Sequence, residues 1–582
     1  MLEQAAAYIR ATGVGLSKYR SYVKNKRDQI YKYPLHPSAG SEEYQRSVET
    51  TWTVSYKQIR IRSPDSAQLL LTLSFLDHSV IWEEVLEFAC KRFAAIALGE
   101  SREGLPDYLV NLFSDDGYNF DVAMEPLLTF SMVRRKEGKI TIHPLVGQCA
   151  RRWTASPERH VKETIRLVSA AFEYVSSRQD PRQQIQWWKI SPQIQHCCNL
   201  SKQIDGTWKE IATPFVNMCK GACWFSSIKD RQIFLDSSEP FLDREKQPLL
   251  ALGHAEMLAT LYTDTNRAEK AVRLLEDTMK WAKELKESSP QVNAQLGTLF
   301  IKLSDIMAVS GQVEQSHEIM HSWRPLDAQN PSPPEVVILG YRDRLWGRHL
   351  YLERRFAEAE KVLKPVLQRE SPGGQNRAWV ITHLADVLVA ESKPEEIVPL
   401  IQAELAASEI RGSPPAVVLH ISRLKVNLGE ALIELGRYSE AETLLSGLLV
   451  DLELLGANED GLLLPEVFFA TSGLARISHS HKQWKSAVDK WQQALKLAET
   501  RGWTRRRRCA NLVHLSLYDA AFNWGKKVGA GDSNEEITGV LRLLEKQRHK
   551  PMLAEEPMFY HWEAFIVGSW EARLDLSKSP DS

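Results

Sequence analysis

Val426 to Leu445 reads VNLGEALIELGRYSEAETLL. Leu428, Leu432 and Leu435 recur at helical spacing, Gly436-Arg437-Tyr438 makes a turn, and Ala441, Leu444 and Leu445 open a second apolar face. With a 3.6-residue period this is a helical hairpin carrying one small residue on each arm, Gly429 and Ala441. Small residues let two helix backbones approach closely while neighbouring leucines fill the groove between them. A hairpin of this kind cannot bury its apolar face alone, so it is expected to recur.

The pair of small positions, 12 residues apart, reappears as Ala259/Ala271, Ser304/Ser316, Gly347/Ala359, Ala385/Ile397, Ala475/Ala487 and Gly525/Ile537. The residue before the first position is bulky each time: Leu258, Leu303, Trp346, Leu384, Leu428, Leu474 and Trp524. Four residues after the second come Leu275, Met320, Leu363, Ile401, Leu445, Trp491 and Leu541, one helical turn along the same face. From about Ala251 to about Leu544 these positions resemble the tetratricopeptide repeat (TPR) family. Successive second positions lie 45, 43, 38, 44, 46 and 50 residues apart, against about 34 in that family, so the helices or connections are longer. The resemblance implies a right-handed helical solenoid. Ile397 and Ile537 break the small-residue rule, and the fourth and seventh hairpins are expected to pack more loosely.

At 582 residues the chain exceeds one compact core, but a solenoid core grows linearly with length. Apolar residues make up 43% and charged residues 25%, with a net charge of −1. No global field favours nucleic acid or a membrane surface. Seven scattered cysteines do not form a disulfide framework and point to a reducing compartment. No apolar leader and no run of about 18 apolar residues occurs. The expected location is the cytoplasm, with the nucleus open.

At the N-terminus, Leu2, Ala5, Ala6 and Ile9 form an apolar stripe, Gly13 reads as a C-cap, and a short helix opens at Ser17. The basic, Pro- and Tyr-containing stretch 25–43 reads as a linker. Amphipathic helices follow at Thr51–Arg60 and Asp65–Leu76, the second begun by Ser63-Pro64 in N-cap and N1 positions. Further helices are expected at Val80–Phe88, Leu105–Phe113 and Phe120–Phe130. Ser131–Arg135, the turn Lys136-Glu137-Gly138 and Lys139–His143 then make a β-hairpin. Helices followed by such a hairpin suggest a winged helix. The order LEQAAAYIRATG, TTWTVSYKQIR, SPDSAQLLLTLSFLD and SMVRRKEGKITIHPLVGQ, over roughly residues 1–153, resembles fungal NB-ARC proteins of the STAND class of nucleotide-switch ATPases, many of which carry C-terminal TPRs. In that family the histidine after the wing faces the nucleotide, a place occupied here by His143. No G-x-x-x-x-G-K-[ST] occurs in the chain, so the phosphate cradle is missing. The resemblance is to the C-terminal part of a STAND protein, without its ATPase core. No bound cofactor is expected, and His143 is read as a vestigial nucleotide-facing position that packs at the end of the wing.

The expected architecture is thus all-α: a TPR-like helical solenoid preceded by a small winged-helix domain with one β-hairpin. The divisions read as 1–45 helical remnant and linker, 46–153 winged-helix domain, 154–250 connecting helices, 251–575 repeats and 576–582 polar, disordered tail.

Three features carry chemistry. Cys219 and Cys223 stand one helical turn apart, but no partner pair has suitable spacing, so they read as core thiols. His317-Glu318-Ile319-Met320-His321 is an HExxH sequence, which in zincins supplies two zinc ligands and a general base. Met320 falls on the core register of the second repeat, and a third ligand is wanting. Arg324 stands where the extended motif has glycine, leaving Asp327 or Glu335 as candidates. A repeat helix is therefore the better reading of His317, Glu318 and His321 than a metal site. Arg505–Arg508 reads as the solvated entry to the last repeat, with nuclear import or a phosphate contact as alternatives. No nucleophile elbow or dinucleotide fingerprint appears. The chain is expected to be a non-catalytic scaffold binding a protein or peptide on its repeats. A regulator touching DNA through Arg134, Arg135, Lys136 and Lys139 is the alternative, and an HExxH peptidase a distant third.

Overall fold

The apolar periods become helices in the computed structural model, which describes residues 6, 8–10, 12–21, 42–97, 106–114, 117–176, 187–202, 209–265, 267–285, 289–310, 312–370, 375–410, 419–454, 464–500, 507–528 and 570. Contacts divide the chain into two units, 1–178 with 185–222 and 232–242, and 243–582 with 179–184 and 223–231. Most of residues 154–242 thus belong to the first unit.

That unit contains α1 (Glu42–Arg62), α2 (Pro64–Phe75), β1 (Ile81–Trp82), α3 (Glu83–Ala97), α4 (Asp107–Asn111), α5 (Tyr118–Thr129), β2 (Val133–Lys136), β3 (Lys139–Ile142), α6 (Pro144–Trp153), α7 (Pro157–Ser176), α8 (Trp187–Ser201) and α9 (Lys209–Ala222). Ahead of them, Gly13 ends the first helical turns with φ +65°, its N–H donating to Ile9 O at 2.9 Å. Ser63 caps α2 by accepting from Ser66 N, and Pro64 takes the first helical position. Glu137 and Gly138 both adopt positive φ, 52° and 71°, giving β2 and β3 a two-residue turn of matching twist. One expectation is corrected. Val80–Phe88 is not a single helix: Ile81 pairs antiparallel with Ile140 and Trp82 with Lys139, adding a third strand in the order β1-β3-β2. Burial of Ile81 and the Lys139 ammonium 4.8 Å from the Trp82 ring outweigh the local helical pattern.

The second unit is a stack of hairpins: α10 (Pro248–Asp264) with α11 (Ala268–Lys283), α12 (Pro290–Val309) with α13 (Val313–Ser322), α14 (Pro333–Leu352) with α15 (Phe356–Arg369), α16 (Gln375–Ala390) with α17 (Pro394–Ile410), α18 (Leu419–Glu434) with α19 (Tyr438–Leu454), and α20 (Leu464–Ser480) with α21 (Trp484–Thr500), followed by α22 (Arg507–Val528). It is a TPR-like helical solenoid. In all six complete hairpins both residues of the 12-residue pair are buried. So is the residue four positions after the second, from Leu275 to Trp491. Ile537 and Leu541 of the seventh lie outside the described residues. Ile397 is sealed despite its size.

The close approach is visible at the glycines. A Cβ on Gly429 would lie 2.6 Å from Leu445 Cδ2, and one on Gly347 would lie 2.5 Å from Leu363 Cγ. In the second hairpin the pair is polar: Ser304 Oγ donates to Ser316 O at 2.8 Å, and Ser316 Oγ stands 3.2 Å from His349 Nδ1. Trp570 closes the far end. It is buried in the α20–α22 core, and its Nε1 donates to Ser516 Oγ at 3.0 Å.

Gly429→Ala is expected to destabilise the protein by about 1–3 kcal/mol in urea melts, because Leu445 must leave its rotamer. A Leu445→Ala change in the same chain should make the alanine tolerable. An unchanged midpoint for Gly429→Ala alone would disprove the packing.

Candidate interaction groove

Each even-numbered helix of the solenoid packs on the next even-numbered helix, from α10 through α20, whereas successive odd-numbered helices make no comparable contact among the described residues. The first helices therefore form the more closely spaced layer, and in a curved stack the more closely spaced layer is the inner one.

That layer carries an unexpected regularity. The residue after the first small position is Asp305, Arg348, Asp386, Glu430 and Arg476 in five consecutive hairpins. These charges cross from one first helix to the next. Arg348 pairs with Asp305. Arg476 is fully buried, pairs with Glu430 and reaches Glu434 at 2.7 Å. Asn427 donates to Asp386 Oδ1 at 3.4 Å and to Thr382 O at 3.3 Å. Arg423 lies 3.3 Å from Glu466 and rests on the Phe469 ring at 4.3 Å. At either end, Gln295 donates to Glu256 at 2.6 Å, and His479 Nε2 stands 2.8 Å from Asp519.

The two inner aspartates titrate in opposite directions. Burial pushes Asp305 up, but Arg348 and His349 more than reverse it and hold its carboxyl well below the usual range. Burial of Asp386 prevails over Arg423, Arg348 and Asn427 and pushes its carboxyl well above the ordinary value. Burial likewise raises Glu430 against Arg476.

The HExxH residues lie on α13. His317 Nε2 stands 2.7 Å from Glu353 Oε1, and its ring meets the edge of Trp346 with centroids 4.5 Å apart. His321 meets the same indole at 4.9 Å, Met320 is fully buried and Glu318 is exposed. Burial lowers both histidines, against Glu353 at His317 and with Arg342 and Arg324 at His321. Asp327 is tied into a turn by Gln329 N and Asn330 N. Glu335 sits at N3 of α14 in a capping box with Ser332. Its carboxylate also accepts from Asn293 Nδ2 at 2.7 Å and Leu326 N at 2.8 Å. Burial pushes it up, yet these bonds bring it down to about 2. Among the described residues no group of three or more His, Cys, Asp or Glu could hold a metal ion.

In the first unit, His143 is exposed and caps α6, its Nδ1 accepting from Leu145 N at 3.2 Å. Arg135 is held by Glu83 at 2.6 Å and Asp121 at 2.6 Å, while Lys136 is exposed beside Glu137. Cys198 and Cys219, far apart in sequence, place their sulfurs 4.0 Å apart in the core. Cys90, Cys149, Cys197, Cys198, Cys219 and Cys223 are all buried. Arg505 and Arg506 lie outside the described residues.

No family model matches the chain, and no curated protein matches it. Among solved structures it is similar to a Signal Transduction ATPase with Numerous Domains (STAND) protein with a tetratricopeptide repeat sensor from Pyrococcus horikoshii, at 12% identity and a TM-score of 0.44, over 88% of this chain and 66% of that one. The chain thus spans less than two thirds of that protein's length. A circular tandem repeat protein with novel repeat topology aligns at 12% identity and a TM-score of 0.14, over 83% of this chain and 98% of that one. At these scores neither likeness carries an argument about activity.

Arg476→Met strands Glu430 as an unpaired buried carboxylate and is expected to cost about 3–5 kcal/mol. Changing Glu430 to Gln in the same chain should recover most of it, measured by urea unfolding. Glu335 sets a pH dependence. Its carboxyl is lower folded than unfolded, so its stabilisation is complete above the ordinary carboxylate value and fades as pH falls through about 2. The stability gap between wild type and Glu335→Gln should be widest above about pH 5 and nearly closed at about pH 2. A gap constant across that range would show that the carboxylate is not the source.

Proposed function

We propose that this chain is a non-catalytic scaffold, regulatory or accessory in role, whose solenoid binds an extended segment of a partner protein along its inner helical layer. The observation that carries the reading is the series of polar and ionic contacts between successive first helices, from Gln295–Glu256 through Arg348–Asp305, Asn427–Asp386 and Arg476–Glu430 to His479–Asp519. Those contacts fix the spacing of the layer before any partner arrives, and a preformed surface loses little ordering entropy on binding. The resemblances in the repeats and in residues 1–153 support a sensing or docking module of STAND type. Buried thiols outside any disulfide fit a reducing compartment such as the cytoplasm, and no described helix is long and apolar enough to cross a membrane. A DNA-reading role for the basic hairpin is the weaker reading, because Arg135 is already committed to two carboxylates.

Selection of phage-displayed random peptides against the whole chain tests the proposal. Enriched peptides are expected to slow amide exchange in the even-numbered helices α12 to α20 and to leave the odd-numbered ones unchanged. Protection confined to the odd-numbered helices or the first unit, or no enrichment at all, would overturn it.

A further inference from the structure

A cleft of about 330 Å³ lies within the first unit, where β1, α3, α7 and α8 meet. Ile81, Val85, Ala89, Leu167, Ala171 and Ile190 wall it, and each of them is buried. Aliphatic walls held apart from one another forgo dispersion contacts, and a fold selected for stability alone would close the gap between them. Walls of this kind reject hydroxyls and phosphates, which would lose their hydration without gaining a partner, and accept a hydrocarbon.

The polar groups at the cleft can be sorted by their partners. Gln193 has both ends of its amide on the Asp77 backbone, accepting from Asp77 N at 2.8 Å and donating to Asp77 O at 3.0 Å. Lys189 pairs with Glu84, and its ammonium stands 4.6 Å from the centroid of the Trp82 ring, which also lines the cleft. The Lys139 ammonium stands 4.8 Å from the same ring. The nearby carboxylates of α3 are taken: Glu83 by Arg135 at 2.6 Å, Glu84 by Lys189, and Glu87 by Lys91 at 2.7 Å. Lys139 thus has no ion-pair partner among the described residues, and it is only half-buried, so its ammonium is within reach of a solute. Two ammonium groups stand at the Trp82 indole against the single carboxylate of Glu84.

We propose that this cleft binds a short aliphatic carboxylate, with its hydrocarbon chain between α3, α7 and α8 and its charged end at the rim beside Trp82, answered by Lys139. The walls select the chain and the surplus ammonium selects a monoanion. A neutral hydrocarbon leaves Lys139 uncompensated, and a dianion overshoots the charge at the rim. The site lies wholly in the first unit and does not depend on how the inner layer of the solenoid is used.

The test titrates the full chain with sodium acetate, butyrate and hexanoate at constant ionic strength, reading affinity from the saturable rise in melting temperature. Each added methylene should tighten binding about fourfold until the cleft is filled. The neutral alcohol 1-hexanol should bind about tenfold more weakly than hexanoate, for want of the charged hydrogen bond. Lys139→Met should reduce hexanoate to the level of hexanol and leave hexanol unaffected. Ala171→Leu, which fills the cleft, should abolish the binding of both. Affinities that do not rise with chain length, hexanol binding as tightly as hexanoate, or no saturable shift in the wild type would each overturn the site. So would hexanoate binding that survives either substitution undiminished. If Ala171→Leu does not fold, the chain-length series and Lys139→Met decide the matter without it.

Discussion

The solenoid depends on how closely the two helices of each hairpin approach. Leu445 occupies the space that a side chain at Gly429 would fill, and Leu363 does the same at Gly347. Where alanine stands instead, the corresponding residues are still fully buried, as Ala475 and Trp491 are in the sixth hairpin. Everything on the inner layer inherits its position from this contact. The charged residue that follows the small one is carried to the same register in five consecutive hairpins, which lets Arg348 meet Asp305 and Arg476 meet Glu430 on the neighbouring helix.

Much of this was legible in the sequence because it is local. A 12-residue spacing and a one-turn step lie within a single hairpin, and their periods can be seen without knowing the fold. Ser63-Pro64 and Glu137-Gly138 were legible for the same reason, each stating a backbone preference in two residues. What escaped was set by distant partners. Ile81-Trp82 is too short to show an alternation, and it becomes a strand only because β3 lies beside it. The inner charges read as ordinary polar residues of amphipathic helices. The signal was nevertheless present, as a charge at one fixed register through five hairpins, and its meaning appears only when Arg348 meets Asp305 and Arg476 meets Glu430 across a repeat.

The HExxH sequence shows how a register can outweigh a motif. Met320 must face the hairpin core, which turns His317 and His321 toward the Trp346 edge and leaves Glu318 in solvent. Glu335, the carboxylate offered as a third ligand, already accepts four hydrogen bonds around the start of α14. The same residues that would have assembled a metal centre instead join the second hairpin to the third.

Trp570 gives the last seam a different history from the others. Elsewhere the contacts between successive first helices span 39 to 46 residues, whereas the indole that covers Arg476, at 5.4 Å, and bonds Ser516 stands 94 residues after that arginine. Each doubling of a loop adds about 0.6 kcal/mol to the entropic cost of closing it, and that cost has to be met before the contact gives any return. The contact of Trp570 with α20 and α22 should therefore be the slowest in the stack to form on refolding, a kinetic signature that the hairpins nearer its centre lack.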